Sequence, residues 1–520
     1  MKTTLLTIAS LIIATVTVAQ TGWSRQDRID WKEGDFAFYQ EDYAYAFDLL
    51  TKVRKADTTY APVNFELGVI QMDWFKDLDA AEPLLKSAVD AGLAEAYFHY
   101  ARFLHLKMKF DAAVDWFNRY ANSGDEAIDV NTINRHIDIA LRAKRVTAKP
   151  VDVRISNLGP GVNTPAKEYV PLVTPDNSQL YFTSRRDDST ARLKDPNGEY
   201  FEDIYKSVQD SGFWKPAVNI GQPINSETHD ATVSITADGK TMLLYRTNPN
   251  LTGGDLYISH FRNGQWSEPD LLPENINSEY QEASATLSPD KKMIIFSSNR
   301  PGGYGGKDLY RVRKLPNGEW SLPRNLGPTI NTPFDEDAPH LDVDGRTLYF
   351  ASEGHNTIGG FDLYRSQLQE AELWSTPVNL GYPANTVDDD IFLTVDAGGR
   401  VGYFSSARSG GFGQQDLYSI EFIYRQQQVI VVKSEIMNIA NAPVAAEITL
   451  IDKDTREVQG VYRSNPQTGK FIMLLHPLTD YKVVIESEGF ETNADDLLFP
   501  FPEDKAEAEV TLAPYILREK

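Results

Sequence analysis

Five copies of Asp-(Ile/Leu)-Tyr, beginning at Asp203, Asp255, Asp308, Asp362 and Asp416, stand 52, 53, 54 and 54 residues apart. Nothing else in the sequence limits the fold so tightly. A repeat of this length holds one supersecondary unit, which must stack on its neighbours to bury an apolar face. Before each triplet lies an apolar run: "QLYFTS", "TMLLYR", "MIIFSS", "TLYFAS" and "VGYFSS". Turn residues precede each run: Pro175-Asp176-Asn177, Asp238-Gly239, Pro289-Asp290, Asp344-Gly345 and Gly398-Gly399. These suit tight hairpins. Trp214, Trp266, Trp320 and Trp374 follow the first four triplets, and Asn-(Ile/Leu)-Gly closes three of the units. Four strands a–d per unit, repeated, predict a β-propeller.

The fifth unit has no tryptophan strand, but "VDVRISNLG" at Val151 to Gly159 is a strand without a unit and ends in the same signature. It is expected to complete the last blade and clasp a five-bladed ring, which removes exposed sheet edges. The glycines of "RPGGYGGKD" then belong to the b–c turn of blade three. As a phosphate loop this stretch fails, because Pro301 stands where the first glycine is needed and Asp308 where Ser or Thr would hold magnesium.

Upstream the period is helical. Gly34, Gly68 and Ala101 are spaced by 34 and 33 residues, with Ala46, Ala80 and Ala113 twelve residues after each. Small residues at these positions let paired helices approach closely. Residues 22–146 resemble three tetratricopeptide repeats, and Asn131 to Lys144 reads as a capping helix. Their concave groove is expected to take a peptide or partner, or the array is a spacer. The propeller is expected over residues 150–425. Residues 428–516 alternate polar and apolar, with frequent turn signals, and predict an Ig-like β-sandwich. The stretch Thr468-Gly469-Lys470-Phe471, then Tyr481 and Gly489-Phe490, is similar to carboxypeptidase regulatory-like domains.

Candidate chemistry lies at one place in each blade. Glu168, Asp230, Glu282, Glu336 and Asp390 stand where each d–a loop enters the innermost strand. They are expected to ring one mouth of the channel, with Arg186, Arg300 and Arg408 arriving from the b–c loops of alternate blades and Arg300 and Tyr304 exposed beside the acids. The simplest reading makes an acid present in every blade a structural residue. The alternatives are a cation or ligand site, or a glycosidase pair, which needs two carboxylates in different environments. No His-Glu-x-x-His or Gly-x-Ser-x-Gly occurs in the sequence. The chain is therefore expected not to be an enzyme and to hold no cofactor or metal.

Residues 1–19 read as a secretory signal peptide: Lys2, an apolar run Leu5 to Val18, and small residues before Gln20. There is no cysteine, so disulfides and thiolate chemistry are excluded. The net charge of −23 argues against nucleic acid as a partner.

The order of these modules, with "SSNRPGGYGGKDLY" at Ser297 to Tyr310 as its strongest part, resembles PorE-like envelope proteins of Bacteroidetes. That resemblance implies an exported scaffold at the periplasmic face of the outer membrane, in type IX secretion or gliding machinery. Its partners would be envelope proteins, an outer-membrane barrel or secretion complex among them, with glycan or peptidoglycan as the alternative ligand. Family members usually continue into an OmpA-like domain. This sequence stops at Lys520 and has no cysteine to acylate, so neither a cell-wall tether nor a lipid anchor is carried over.

Overall fold

The computed structural model describes residues 22–520 except 175–176, 237–238, 370–371, 397–398, 424–429, 454–457, 476–480 and 498–508. The expected signal peptide, and parts of three of the expected turns, lie outside the described residues. The chain divides into two compact units, Met1–Glu421 and Phe422–Lys520.

The first unit opens with seven α-helices: α1 (Arg25–Tyr39), α2 (Tyr43–Ala56), α3 (Ala61–Val69), α4 (Leu78–Asp90), α5 (Glu95–Leu106), α6 (Phe110–Ala121) and α7 (Val130–Thr147). Local chemistry sets several of their starts. Ser24 and Asp27 form a capping box on α1, and Asp42, Asp77 and Asp129 cap α2, α4 and α7. The helices pack pairwise as the small-residue spacing predicts. At Gly68 an added Cβ would lie 2.8 Å from Leu85, so the close approach of α3 and α4 requires glycine there.

Next come five antiparallel sheets of four or five strands. Their innermost strands are Glu168–Val173, Asp230–Ile235, Ala285–Leu287, Glu336–Leu341 and Asp390–Val395, which define sheets one to five. Each innermost strand touches the next, and the fifth touches the first, so the sheets close into a propeller-like ring. Strand β1 (Val153–Asn157) joins sheet five beside Asp416–Phe422. Leu158 N–H donates to Leu417 O at 3.1 Å, and Asn157 Nδ2 to Asp416 Oδ2 at 2.8 Å.

The outermost strand differs from the expectation of one continuous strand d. In sheet one, Phe213–Trp214 and Val218–Asn219 are separate two-residue strands on the same partner. Pro216, Pro269, Pro323 and Pro377 fall between the tryptophan and the closing pair in four sheets. A proline has no N–H to give the ladder, so the edge breaks there.

The glycines of the third connection do make an inter-sheet contact. A Cβ on Gly305 would stand 2.0 Å from Phe334 O in the next loop; Gly359 and Gly413 meet Asp388 O and Ala166 O at 2.5 and 2.1 Å. Gly305→Ala is expected to cost about 3 kcal/mol, the upper range for overpacking against a fixed backbone. Urea unfolding of the variant measures it, and an unchanged midpoint would refute the contact.

The helices dock on the loops of the ring. Arg135 Nη2 donates to Glu353 O at 2.5 Å, Arg142 Nη1 to Thr357 O at 2.6 Å, and His105 Nε2 lies 3.0 Å from Ile358 O. Lys76 pairs with Asp388 at 3.0 Å. Phe110, Ala143 and Ile358 form a small shared core. Helix α7 is thus more than the expected cap: one side closes the helical stack and the other binds sheet four.

The second unit has two four-stranded sheets around one core that includes Val432, Ile448, Leu450, Phe471, Met473, Val483 and Ile485. Val431 to Lys433 runs parallel to Glu509–Thr511, and Ile436 to Asn438 parallel to Tyr515–Leu517.

Candidate functional site

The five sequence-predicted acids are buried, between 0% and 2% exposed. They do not line an open channel mouth. Each accepts from a Ser or Thr four residues before it, through both backbone N–H and hydroxyl. For Glu168 the donor is Thr164, for Asp230 Ser226, for Glu282 Ser278, for Glu336 Thr332 and for Asp390 Thr386. In four sheets a serine ending the second strand, Ser184, Ser298, Ser352 or Ser406, adds another donor.

A cation completes the motif. Arg186, Arg300 and Arg408 pair with Glu168, Glu282 and Asp390 at 3.3, 3.1 and 2.7 Å. These arginines do not alternate with empty sheets, as the sequence suggested. In sheet two Arg246 takes the serine's register position and pairs with Asp230 at 2.6 Å. In sheet four His355 meets Ile330 O at 2.8 Å, where the arginines bind the equivalent carbonyls of Ile276 and Ala384. Arg300, expected to be exposed, is held by Glu282, Ser298 and two carbonyls. Tyr304 is 51% exposed, and its N–H donates to Asp308. Glu336 pairs with no arginine among the described residues, and burial pushes its carboxyl up to about 7. This chemistry ties each d–a loop to its own sheet.

The axis of the ring is filled. Two cavities bounded by all five innermost strands hold about 20 and 40 Å³. Ligand sites for small molecules run to roughly 300–1,000 Å³. These spaces admit water at most.

A larger site lies where the repeat breaks. The connection before Asp203 runs over residues 185–202, against 299–307, 353–361 and 407–415 in sheets three, four and five. The extra chain walls an open cleft of about 600 Å³ with Thr164 to Lys167, Arg185 to Asp188, Glu199, Tyr200 and Gln414. Its floor is a fixed charge network. Arg185 bonds Asp195, Glu199 and Glu202 at 2.6, 2.9 and 3.0 Å. Lys167 pairs with Glu199 at 2.8 Å and lies 4.6 Å from the ring centre of Trp74 on the helical side. Tyr169 donates to Glu202. Burial pushes the Glu202 carboxyl up, but His229, Arg185 and Tyr169 overcome it and hold the group at about 2. Tyr205 donates to Asp188 at 2.6 Å.

Every cation of the cleft is therefore already matched. One wall group is not: Gln414 Oε1 is buried without a hydrogen-bond donor among the described residues. An acceptor left this way costs about 1–3 kcal/mol. The sequence reading missed this cleft. Its signal is the doubled length of one connection in an otherwise regular series. Among the described residues no cluster of three or more His, Asp or Glu is placed to hold a metal.

No protein-family model matches the chain, and no curated protein matches it. Solved structures do resemble part of it. An α-L-arabinofuranosidase from Lactobacillus brevis is 12% identical over 53% of this chain and 93% of its own, with a TM-score of 0.33. A gluconolactonase from Xanthomonas campestris is 11% identical over 53% and 92%, TM-score 0.28. The WD40 repeats of RRP9 are 11% identical over 52% and 98%, TM-score 0.29. Two of these three are enzymes, and the expectation that the chain is not an enzyme is withdrawn. Likeness at this level assigns no activity.

Proposed function

We propose that this chain binds a neutral glycan in the cleft of sheet one. The observation that carries the reading is the unpartnered Gln414 Oε1 in a preformed cleft whose cations are all paired. A sugar hydroxyl supplies the missing donor. Asp187 and Asp188 are exposed acceptors on the rim, and the half-buried Tyr200 offers a ring face. An acidic sugar meets carboxylates here and finds no free cation.

In this reading the ring is a five-bladed β-propeller clasped by β1, the helices are tetratricopeptide repeats, and the second unit is an Ig-like, carboxypeptidase regulatory-like sandwich. The order of modules supports a PorE-like protein exported to the periplasm or the periplasmic face of the outer membrane. Among the described residues no helix is long and apolar enough to cross a membrane.

A glycan array with neutral and uronic oligosaccharides tests the site. Neutral ligands are expected to bind, with Gln414→Leu and Tyr200→Ala each weakening them about tenfold, the loss of one or two well-placed contacts. Silence across the array, or binding untouched by both variants, refutes the reading. Reducing-sugar release on the bound glycan decides between binding and cleavage.

A second reading, an adaptor for an outer-membrane barrel or secretion complex, is favoured by one feature of the helices. Phe36, Tyr39 and Tyr45 are 66%, 55% and 47% exposed on the first helix pair. Crosslinked pull-down from envelope fractions should recover a membrane complex; soluble monomer alone would refute it.

A further inference from the structure

The buried acids of the ring are compensated by hydroxyls, amides and, in four sheets, arginines. One group of acids in the helices is not. Asp35 on α1, Glu66 on α3 and Glu95 on α5 come from the first helix of three successive repeats. Tyr39 on α1 donates to Glu95 at 2.5 Å, across 56 residues of sequence. A contact between the first and third repeats requires α1, α3 and α5 to line the inner side of a tightly curved array. On that wall the carboxyls of Asp35 and Glu66 lie within hydrogen-bonding reach of each other. Glu66 is 1% exposed, and its Oε2 has no hydrogen-bond partner among the described residues.

No Lys or Arg among the described residues forms an ion pair with any of the three. Asp73, just after α3, is by contrast matched by Arg102 at 2.9 and 3.0 Å. Buried carboxylates without counter-ions are costly and are ordinarily paired. Burial pushes the carboxyls of Asp35, Glu66 and Glu95 up; neighbouring carboxylates push Glu66 and Glu95 further, while the contact with Glu66 draws Asp35 partly back and the Tyr39 hydrogen bond does the same for Glu95. The three do not form a metal-ligand cluster. A cation on a long stem, reaching in from outside, fits better. The ring of Tyr39, 55% exposed beside the acids, offers it an aromatic face.

We infer that the inner wall at Asp35, Glu66 and Glu95 is a docking site for a basic side chain of a partner polypeptide. The occupant is an extended peptide carrying lysine or arginine. The charge complementarity singles it out, and the site is independent of the glycan cleft.

Fluorescein-labelled octalysine, titrated into the full chain at about 150 mM NaCl, tests it. Glu95→Gln keeps an oxygen for Tyr39, and Asp35→Asn changes the half-buried member, so both spare the buried Glu66. Each is expected to weaken binding about tenfold with an unchanged melting curve. Asp79→Asn, an exposed acid on the outer helix α4, reports the diffuse charge of the chain and is expected to leave affinity unchanged. Absence of wild-type binding overturns the inference. So does equal affinity in wild type, Glu95→Gln and Asp35→Asn, or an equal loss in Asp79→Asn.

Discussion

Replacing residues 153–158 by a Gly-Ser segment of equal length is expected to lower the melting temperature of the first unit by about 6 °C. The replacement keeps the link to α7 and removes only the clasp. Sheet five then ends on Asp416–Phe422 with an unpaired edge. Asp416, 1% exposed, loses its Asn157 donor and keeps only the N–H groups of Phe412 and Gly413. Leu417 O loses Leu158 N–H. At about 1 kcal/mol for each hydrogen bond and more for the stranded carboxylate, the loss sums to roughly 5 kcal/mol. Spread over a unit this large, that corresponds to about 6 °C. Calorimetry of the full chain measures it, with the second unit as internal reference. An unchanged melt would mean that the ring closes without β1.

The second large effect is a contrast between two acids in equivalent places. Asp390→Ala is expected to cost about 3–5 kcal/mol, because Arg408, with its side chain 14% exposed, is left without its carboxylate. Glu336→Gln is expected to cost about 1 kcal/mol or less, since no arginine depends on Glu336. The pH dependence should differ too. The Glu336 carboxyl, at about 7, lies above its unfolded value, so the folded state holds a proton that the unfolded chain releases. Stability from this group is present below about pH 4.5 and is lost as pH rises toward 7. The full effect is of order 3 kcal/mol. Buried Asp362, also at about 7, adds a slope of the same sign. Glu336→Gln should flatten part of the decline in urea midpoint between pH 5 and 7.5. A slope identical to wild type would refute the assignment.

The architecture was legible because the repeat states it five times. The Asp-Leu-Tyr triplets place the third strands, and the echo of Asn-Leu-Gly in "VDVRISNLG" announces the clasp. The burial of the acids also has a sign in the sequence. A Ser or Thr stands four residues before every one of them, at Thr164, Ser226, Ser278, Thr332 and Thr386. An acid that carries its own donors is built to be satisfied locally. Exposure could not be read, because whether an arginine points into solvent or folds back on Glu282 depends on carbonyls contributed by another loop. The docking of the helices was invisible for the same reason. Arg135, Arg142 and His105 bond backbone carbonyls more than 200 residues away, and a carbonyl leaves no mark in a sequence. The cleft was hidden by its position: the long connection precedes the first triplet at Asp203, so it falls outside every step from one triplet to the next.

The helix-to-ring contacts also set how the molecule bears tension. Helix α7 leads directly into β1, so a pull on the helices would by itself peel the clasp from sheet five. Arg135 and Arg142 instead fasten α7 to the loop at Glu353 and Thr357, and Val151 N–H is tied to Tyr382 O just before β1 begins. Force entering through the helices is delivered to sheet four and from there shared around the ring, while the strand that locks the circle stays slack.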